Sequence, residues 1–529
     1  MGSTATRSVV RRTTAVLAAS AISAVGLAAC TNGGGAAGGS GGGGASDSLT
    51  MQFAGPPVSM DPAKAGNGGS AAFVSLAYDP LIYQTGEGKL VPDLATKWQY
   101  VGTGNKVFEF DLRHGVTFTD GAKLDAAAVV ASMRYFLKAG GGLVGNVGSI
   151  DAVTAVDDDT VRITYKQPYP IAPESLTQFF GIGNIIGPKG LADPKSLLTS
   201  SDGTGQYVYD GAKSVSGNRY AYKRNPKYFA PSAQHFKNVS IRIIGDPNAV
   251  LSAARTGQVQ FASGDPQTAA AAKKAGLTVQ TAPFFNWSLM LADRKGTVLK
   301  PLADSRVRQA ISLAFDRKTL ASALGGRFAS PSGQLVLPGI PGYVKGGGYD
   351  YDVAKAKKLL AAAGYPHGFK MTVLTQSLID PNTKYSQAFA NALNAIGIDV
   401  KLKVESTGIA QFAADSQSKK YPAVIFPTAG STLYATSAQI SSGLFNPFKS
   451  ADTQVDHILA TANAATGTKQ EQLYEQANSR YADLAWVVPI MSTLNIHYLA
   501  SDLKNVTSST INPNPIPTGP TSELSWARK

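Results

Sequence analysis

The residues able to do chemistry are few and scattered. Cys30 is the only thiol in 529 residues, so neither an intramolecular disulfide nor a CxxC metal or redox pair can form. His114, His235, His367, His457 and His497 stand far apart with no ligand spacing, so the sequence expects no metal site and no cofactor. Val156-Asp157-Asp158-Asp159-Thr160 gathers three acids just ahead of an alternating segment, the usual place of a solvated turn. Gly140-x-Gly142-x-x-Gly145 has the spacing of a dinucleotide fingerprint, but it follows a helical pattern where that fingerprint must follow a strand. Gly38-x-Ser40-x-Gly42 has the spacing of a nucleophile elbow and lies in a glycine tract with no strand or helix to hold it. No nucleophile–base pattern and no paired catalytic acids are present, so a secreted hydrolase is disfavoured and no enzyme is expected.

Cys30 has a different use. Arg7, Arg11 and Arg12 precede an uncharged, Ala/Val/Leu-rich run, Thr13 to Ala29. This is the pattern of an export signal, too short and too rich in small residues for a membrane span. Leu27-Ala28-Ala29-Cys30 resembles the lipobox of bacterial lipoproteins, which implies cleavage before Cys30 and a lipid on its thiol. Arg11-Arg12 leaves a twin-arginine route open, although the flanking residues fit the general secretory route better. Residues 1–29 are then a signal peptide and 30–48 a lipidated cysteine with a glycine-rich tether. About 15 such residues give a root-mean-square reach of about 20 Å.

The formal net charge is +14, and removal of the three signal arginines leaves +11. Only 16% of residues are charged and no Lys/Arg run exceeds two. Such a surface is mildly attracted to anionic headgroups or cell wall, and no nucleic-acid partner is expected. Beyond the signal no uncharged apolar run reaches about 18 residues, so no further span is expected.

Past the tether, strand and helix patterns mix. Val107–Arg113, Val161–Gln167, Arg219–Asn225 and Val239–Ile244 alternate apolar and polar residues. Asp125 is placed to cap a helix that Gly140 ends, with Val129, Met133 and Phe136 on one face. Val307, Ile311 and Phe315 recur at helical spacing, and another helix runs from Asp352 to Gly364. Phe389, Leu393 and Ile396 lead through Gly397 into an alternating strand, Ile398 to Val404, an α/β unit. A last long helix carries Leu473, Ala477, Tyr481 and Leu484 on one side.

Several of these stretches resemble, in order, the family 5 extracellular solute-binding proteins, which serve dipeptide, oligopeptide and nickel ABC importers. The matching residues are Tyr78 with Leu81; Pro92, Leu94, Ala95 and Trp98; and Phe110, Leu112, Arg113, Gly115, Val116, Phe118, Asp120 and Gly121. "DGTGQYVY" resembles the family's GTGPY turn, with Gln206 at the proline. "AARTGQVQF" resembles its S-G-E-V-D segment, with Gln258 and Gln260 at the acids. "DSRVRQAI" and "LLAAAGYPHGF" follow suit, and the likeness runs from about Leu49 to Ile511.

The resemblance implies an α/β, two-lobed periplasmic-binding-protein fold of type II, in its large form with an extra subdomain and a hinge between lobes. Lobe I would hold 49–283 plus 486–529, with a subdomain inserted at about 84–169, and lobe II would hold 284–485. The implied partners are a peptide or other small-molecule solute, an ABC permease with its ATPase subunits, and a membrane reached through the lipid. The protein itself would be a monomer. A receptor feeding a sensor is the alternative role for the same fold.

The resemblance also points to site residues. Peptide-binding members pair an aspartate with the peptide's amino terminus, but the matching stretch here, Tyr421–Phe448, holds neither acid nor base. Ser431 falls near the expected acid, and Thr428, Ser431, Thr432 and Tyr434 would suit neutral hydroxyl or amide groups. Phe445 and Asn446 close that stretch. A sugar, a capped or apolar peptide, or another neutral solute is therefore expected. Phe284, Phe285, Asn286 and Trp287 lie at the expected lobe crossing, where aromatic rings could stack on a ligand. Asn67 lies in a loop that faces the cleft in the family.

Overall fold

Two long strands, Thr278–Leu291 and Val487–Leu499, organise the molecule. They pair antiparallel along nearly their whole length, from Thr278 opposite Leu499 to Met290 opposite Val487. The pairing slips twice, between Pro283 and Phe285 and between Trp287 and Ser288. Such bulges bend and twist a ladder. They fall where the chain passes from one half of an eleven-stranded sheet to the other. The computed structural model describes residues 47–65, 70–348, 350–430, 432–441 and 444–529, all within one compact unit, Ser46–Lys529. Cys30, the tether, Asn67 and Ser431 lie outside the described residues.

On one side of the long pair the strands run Phe261–Ser263, Ser48–Phe53, Asn238–Ile243, Arg219–Arg224 and Tyr207–Tyr209. Their inward residues, among them Met51, Tyr222, Ile241 and Phe261, form an aromatic-rich core closed by Trp526. On the other side run Ala423–Thr428, Phe369–Gln376 and Ile398–Glu405, the last two parallel. The period-2 alternation of the first long strand divides this half. Trp287, Leu289 and Leu291 enter one core, with Val307, Ile311, Leu360 and Phe389 from the covering helices. Met290 enters the core on the opposite face, with Val424, Tyr474 and Tyr481. Helices on both faces of a largely parallel half-sheet make an α/β architecture.

A separate antiparallel sheet, in the order Ala95–Tyr100, Val107–Leu112, Thr160–Tyr165, Ile150–Ala155, packs on the helix Ala126–Ala139. The helix starts where Asp125 accepts from the Ala128 amide at 2.9 Å and stops at Gly140, which is left-handed at φ 67°. Phe108, Phe110, Val161 and Ile163 meet Val129, Met133 and Phe136 in the shared core.

The strand and helix patterns read from the sequence fall within a residue or two of these elements, with one difference. The spacing of Val307, Ile311 and Phe315 reads as one helix, but the chain forms two, Ser305–Leu313 and Arg317–Gly325. Asp316 is the cause: its carboxylate accepts from the Thr319 amide at 3.0 Å and starts a new helix. Phe315 stays buried in the same core despite the break.

The two glutamines that stand where the family pattern has acids have local partners. Gln260 accepts from the Thr50 amide at 2.8 Å, and Gln258 accepts from Arg242 at 2.9 Å. Gln206, at the family's proline, donates to the Gly519 carbonyl at 2.7 Å and to the Ser525 hydroxyl at 2.9 Å, tying the C-terminal segment to the core.

Candidate ligand-binding site

A cavity of about 480 Å³ opens at the crossing of the two long strands. That volume is in the range of small-molecule sites. Six parts of the fold build it. The loop after Ala126–Ala139 supplies Gly145, Asn146 and Gly148. Tyr169, Ile171, Phe179 and Phe180 follow the four-stranded sheet. Phe284 and Asn286 come from the crossing strand. Leu335, Val336 and Leu337 face them, and Thr428 with the helix Leu433–Ser441 contributes Tyr434, Ala435, Ala438 and Gln439. The C-terminal segment 510–514 completes the wall. Among the described residues no Asp, Glu, Lys, Arg or His lines the cavity.

The wall is held from behind. Asn286 sits opposite Thr428 in the ladder. Its side-chain NH2 donates to the carbonyls of Gln334 and Leu335, at 2.8 and 3.1 Å, pinning the segment that carries Leu335–Leu337. Gln334 is pinned in turn, accepting from the Val344 amide at 2.9 Å and from Asn478 at 2.8 Å. Arg294 fixes the far end of the helix Leu433–Ser441: its guanidinium donates to the carbonyls of Leu291, Ile440 and Phe445 at 2.9, 3.3 and 3.2 Å and lies 4.6 Å over the Trp486 ring. Burial lowers this guanidinium to about 9. It is a carbonyl clamp and does not reach the cavity.

Tyr434 reaches across the cavity edge. Its ring meets Tyr169 edge-on at 5.7 Å and packs against the cores on both sides. Burial holds its phenol above the ordinary range, so it is neutral at physiological pH. Close by, Asn105 in the hairpin turn of the four-stranded sheet donates to the carbonyls of Asn463 and Ala465, at 2.8 and 3.0 Å. One acid stands behind the wall: Glu174, three residues from Ile171, is pushed up to about 7 by burial.

Of the residues singled out from the sequence, Phe284, Asn286, Thr428 and Tyr434 come together at the cavity. Phe285 and Trp287 do not: Phe285 packs against the core of the helix-covered face. Trp287 is inside that core, stacked on Tyr385 at 4.4 Å, with its indole N–H on Thr493 at 3.3 Å. The alternation of Phe285, Trp287, Leu289 and Leu291 carries the signal that Asn286, between the first two, faces the other way. Phe445 is buried 5.5 Å from the Phe426 ring, and the side chain of Asn446 closes its own loop on Ser450. The Gly140–Gly145 motif is the loop entering the cavity, and the three acids form the turn between Ile150–Ala155 and Thr160–Tyr165, where Asp157 accepts from the Thr160 amide at 2.6 Å. No group of histidine, cysteine and carboxylate side chains suited to a metal occurs among the described residues.

The family described as bacterial extracellular solute-binding proteins, family 5 Middle, matches residues 89–447. The chain belongs to this family. Among curated relatives, the glutathione-binding protein GsiB of Salmonella paratyphi A is 28% identical over 485 residues, covering 86% of this chain and 90% of the relative. GsiB of Pectobacterium atrosepticum is 26% identical over 460 residues, covering 81% and 85%. Among solved structures, the ABC transporter substrate-binding protein CtaP of Listeria monocytogenes superposes with a TM-score of 0.76 at 21% identity, covering 91% of this chain and 99% of that one. DppA of Helicobacter pylori, in complex with the peptide STSA, gives 0.72 at 23%, covering 91% and 98%. NikA of Brucella suis, in complex with Fe(III)-EDTA, gives 0.75 at 20%, covering 91% and 100%.

These likenesses establish the two-lobed type II periplasmic-binding fold. The chain is thus an exported solute-binding protein of an ABC importer and not an enzyme. One fold holds a tetrapeptide in one relative and an iron chelate in another, so the solute must be argued from the cavity. No helix among the described residues is long and apolar enough to cross a membrane.

Proposed function

We propose that this family 5 protein is a lipid-anchored receptor that closes its two lobes on an uncharged solute and presents it to the permease and ATPase subunits of an ABC importer. The observation that carries the reading is the cavity wall, which is apolar and amide-rich and has no charged side chain among its described residues. Its walls come from both sides of the crossing strands, so a solute touching both favours the closed arrangement by its differential contacts. The lobe boundaries at 283/284 and 485/486 belong to this proposal. They are supported by the register slip at Pro283–Phe285 and by Ala485, whose φ of 46° turns the chain into the second long strand. The anchor is Cys30, with 1–29 removed and 30–48 as the leash.

Two measurements test it. Small-angle scattering of the mature protein is expected to show a smaller radius of gyration with a small-molecule extract of the producing cells than without it; an unchanged radius across all fractions contradicts closure on a solute. Cys30→Ala is expected to move the protein from the membrane to the soluble fraction with ligand affinity unchanged. Persistence at the membrane, or lost affinity in the soluble form, contradicts the anchor.

A further inference from the structure

The net charge of the chain is unevenly placed. Residues 284–420 hold 18 Lys/Arg and nine Asp/Glu, a surplus of nine against +11 for the chain without its signal arginines. Much of that surplus meets at one end of the half-sheet, and strand direction says which. Asn286 pairs with Thr428 at the cavity, and the same ladder runs on to Leu291 opposite Ala423, five residues and about 17 Å away. Lys419 and Lys420, both exposed, lead into Ala423. The Pro422 carbonyl accepts from the amides of Ala292 and Asp293, at 2.9 and 3.0 Å, which seats the loop bearing exposed Lys295 and Lys300 beside them. Exposed Lys370 and Lys401 come from the neighbouring strands. Phe369, Met371, Ile398 and Val400 turn to the core that holds Trp287, so these two lysines turn to the opposite face. On that face packs Phe412 of the helix Ile409–Gln417, which precedes Lys419. None of the six lysines is ion-paired among the described residues. Two acids accompany them, Asp399 opposite Lys370 in register and Asp415 on that helix.

The loop between Asp293 and Lys300 is fixed from inside. Asp293 is fully buried, and its carboxylate accepts from the amides of Thr297, Val298 and Leu299 at 2.8, 2.6 and 2.7 Å. Gly296 makes the turn at a φ of 69°. The Val298 side chain, between Lys295 and Lys300, is left 50% exposed. An apolar tip flanked by unpaired lysines suits a layer of anionic headgroups over hydrocarbon. It suits a protein partner less, since lysine is depleted from protein interfaces, whose centres are apolar. We propose that this end of the half-sheet rests on the anionic headgroups of the membrane to which the chain is tethered, with Val298 at the headgroup boundary. The cavity, at the other end of the same strands, is then held off the bilayer. The lipid holds the protein and the lysines orient it, because a tether reaching about 20 Å keeps them close to the surface. This rests on the lipid-anchored receptor reading above and adds the orientation of that receptor.

The test uses the mature chain carrying Cys30→Ala, so that no lipid contributes. It is sedimented with vesicles of phosphatidylglycerol and phosphatidylcholine, and with vesicles of phosphatidylcholine alone. Binding is expected on the anionic vesicles only, falling as salt is raised. Lys419→Glu with Lys420→Glu is expected to weaken it by at least about tenfold. Lys273→Glu with Lys274→Glu makes the same change of net charge on an exposed pair beyond the opposite end of the strand Thr278–Leu291, and is expected to stay within about twofold. Because Cys30 is the only thiol, Cys30→Ala with Val298→Cys takes a single polarity-sensitive dye. Its emission is expected to shift to the blue on anionic vesicles, whereas the same dye at Val215→Cys, another exposed valine, does not shift. Equal losses from the two lysine pairs would reduce the effect to overall charge and overturn the inference. So would absence of binding to anionic vesicles, an unmoved dye at position 298, or a preference for soluble polyphosphate over vesicles. Each of these leaves solute-induced compaction, the test of the receptor reading, untouched.

Discussion

The cavity and the buried cluster beside the four-stranded sheet treat charge in opposite ways. In the cluster, Asp79 and Asp93 are 3% and 1% exposed, and each carries a buried carboxylate oxygen without a partner. Arg113 stands with them, donating to the Asp93 carbonyl at 2.8 Å and lying 5.0 Å over the Phe229 ring. Burial raises the Asp79 carboxyl to about 8 and the Asp93 carboxyl well above its usual range, and Arg113 opposes both. Burial thus pushes both carboxyls toward their protonated forms, against the pull of the one cation beside them. The cavity has no charged group on its described wall, only amides, hydroxyls and hydrocarbon. In this cluster charge serves the scaffold, and it stays off the described cavity wall. Arg294 repeats the pattern on the other side of the cavity, clamping three carbonyls without touching the site.

That contrast can be broken by substitution. Arg113→Met leaves two buried acids without a cation and is expected to cost about 3 kcal/mol or more in denaturant unfolding. It should leave solute affinity within a few-fold; an equal loss in both would place the cluster at the site. Arg294→Met leaves three carbonyls short of a donor and is expected to cost about 2 kcal/mol. It should also weaken binding, because the helix bearing Tyr434 and Ala435 loosens. Stability without that loss of affinity would deny Arg294 its positioning role.

The cluster also sets a pH signature. The folded-state values of Asp79 and Asp93 are raised, so their contribution to stability is fully present below about pH 4. It is lost as pH rises through about 8 for Asp79, because the unfolded chain has already released the protons that the native state still holds. Asp79→Asn is expected to flatten the decline of the unfolding midpoint between pH 5 and 8; an unaltered slope contradicts the raised Asp79 carboxyl. The smallest effect is expected from Asn105→Ala, which removes the donor to Asn463 and Ala465. Stability should fall by under about 1 kcal/mol, while scattering of the solute-free protein shifts toward the more open form.

Much of the frame was legible in the sequence because it is written in local physics. Asp125 with Gly140 bounds a helix through a cap and a left-handed stop, and Gly397 separates the helix Lys384–Asn394 from its strand at a φ of 96°. Asp316 misled because its capping role interrupts a spacing that is otherwise helical. The site was legible only in part. Thr428 and Tyr434 lie in a stretch, Tyr421–Phe448, whose composition, empty of charge, pointed to a neutral solute, and Asn286 lies at the expected lobe crossing. Trp287 drew the eye as an aromatic at the crossing, although the alternation of its apolar neighbours assigns it to the core. Asn512, Ile511 and the loop at Gly145–Asn146 could not be read, since irregular segments announce no direction and reach the cavity only through contacts distant in sequence. Arg294 reads as one basic residue among 49; only its burial against three carbonyls gives it a role.

The account's central claim is that the cavity selects a solute without charge. Native mass spectrometry of the mature protein as purified from its own cells, followed by release and identification of the retained small molecule, tests it most directly. The expected result is one solute per chain, uncharged at neutral pH, that rebinds to the emptied protein. Retention and rebinding of a zwitterionic or ionic solute would contradict it.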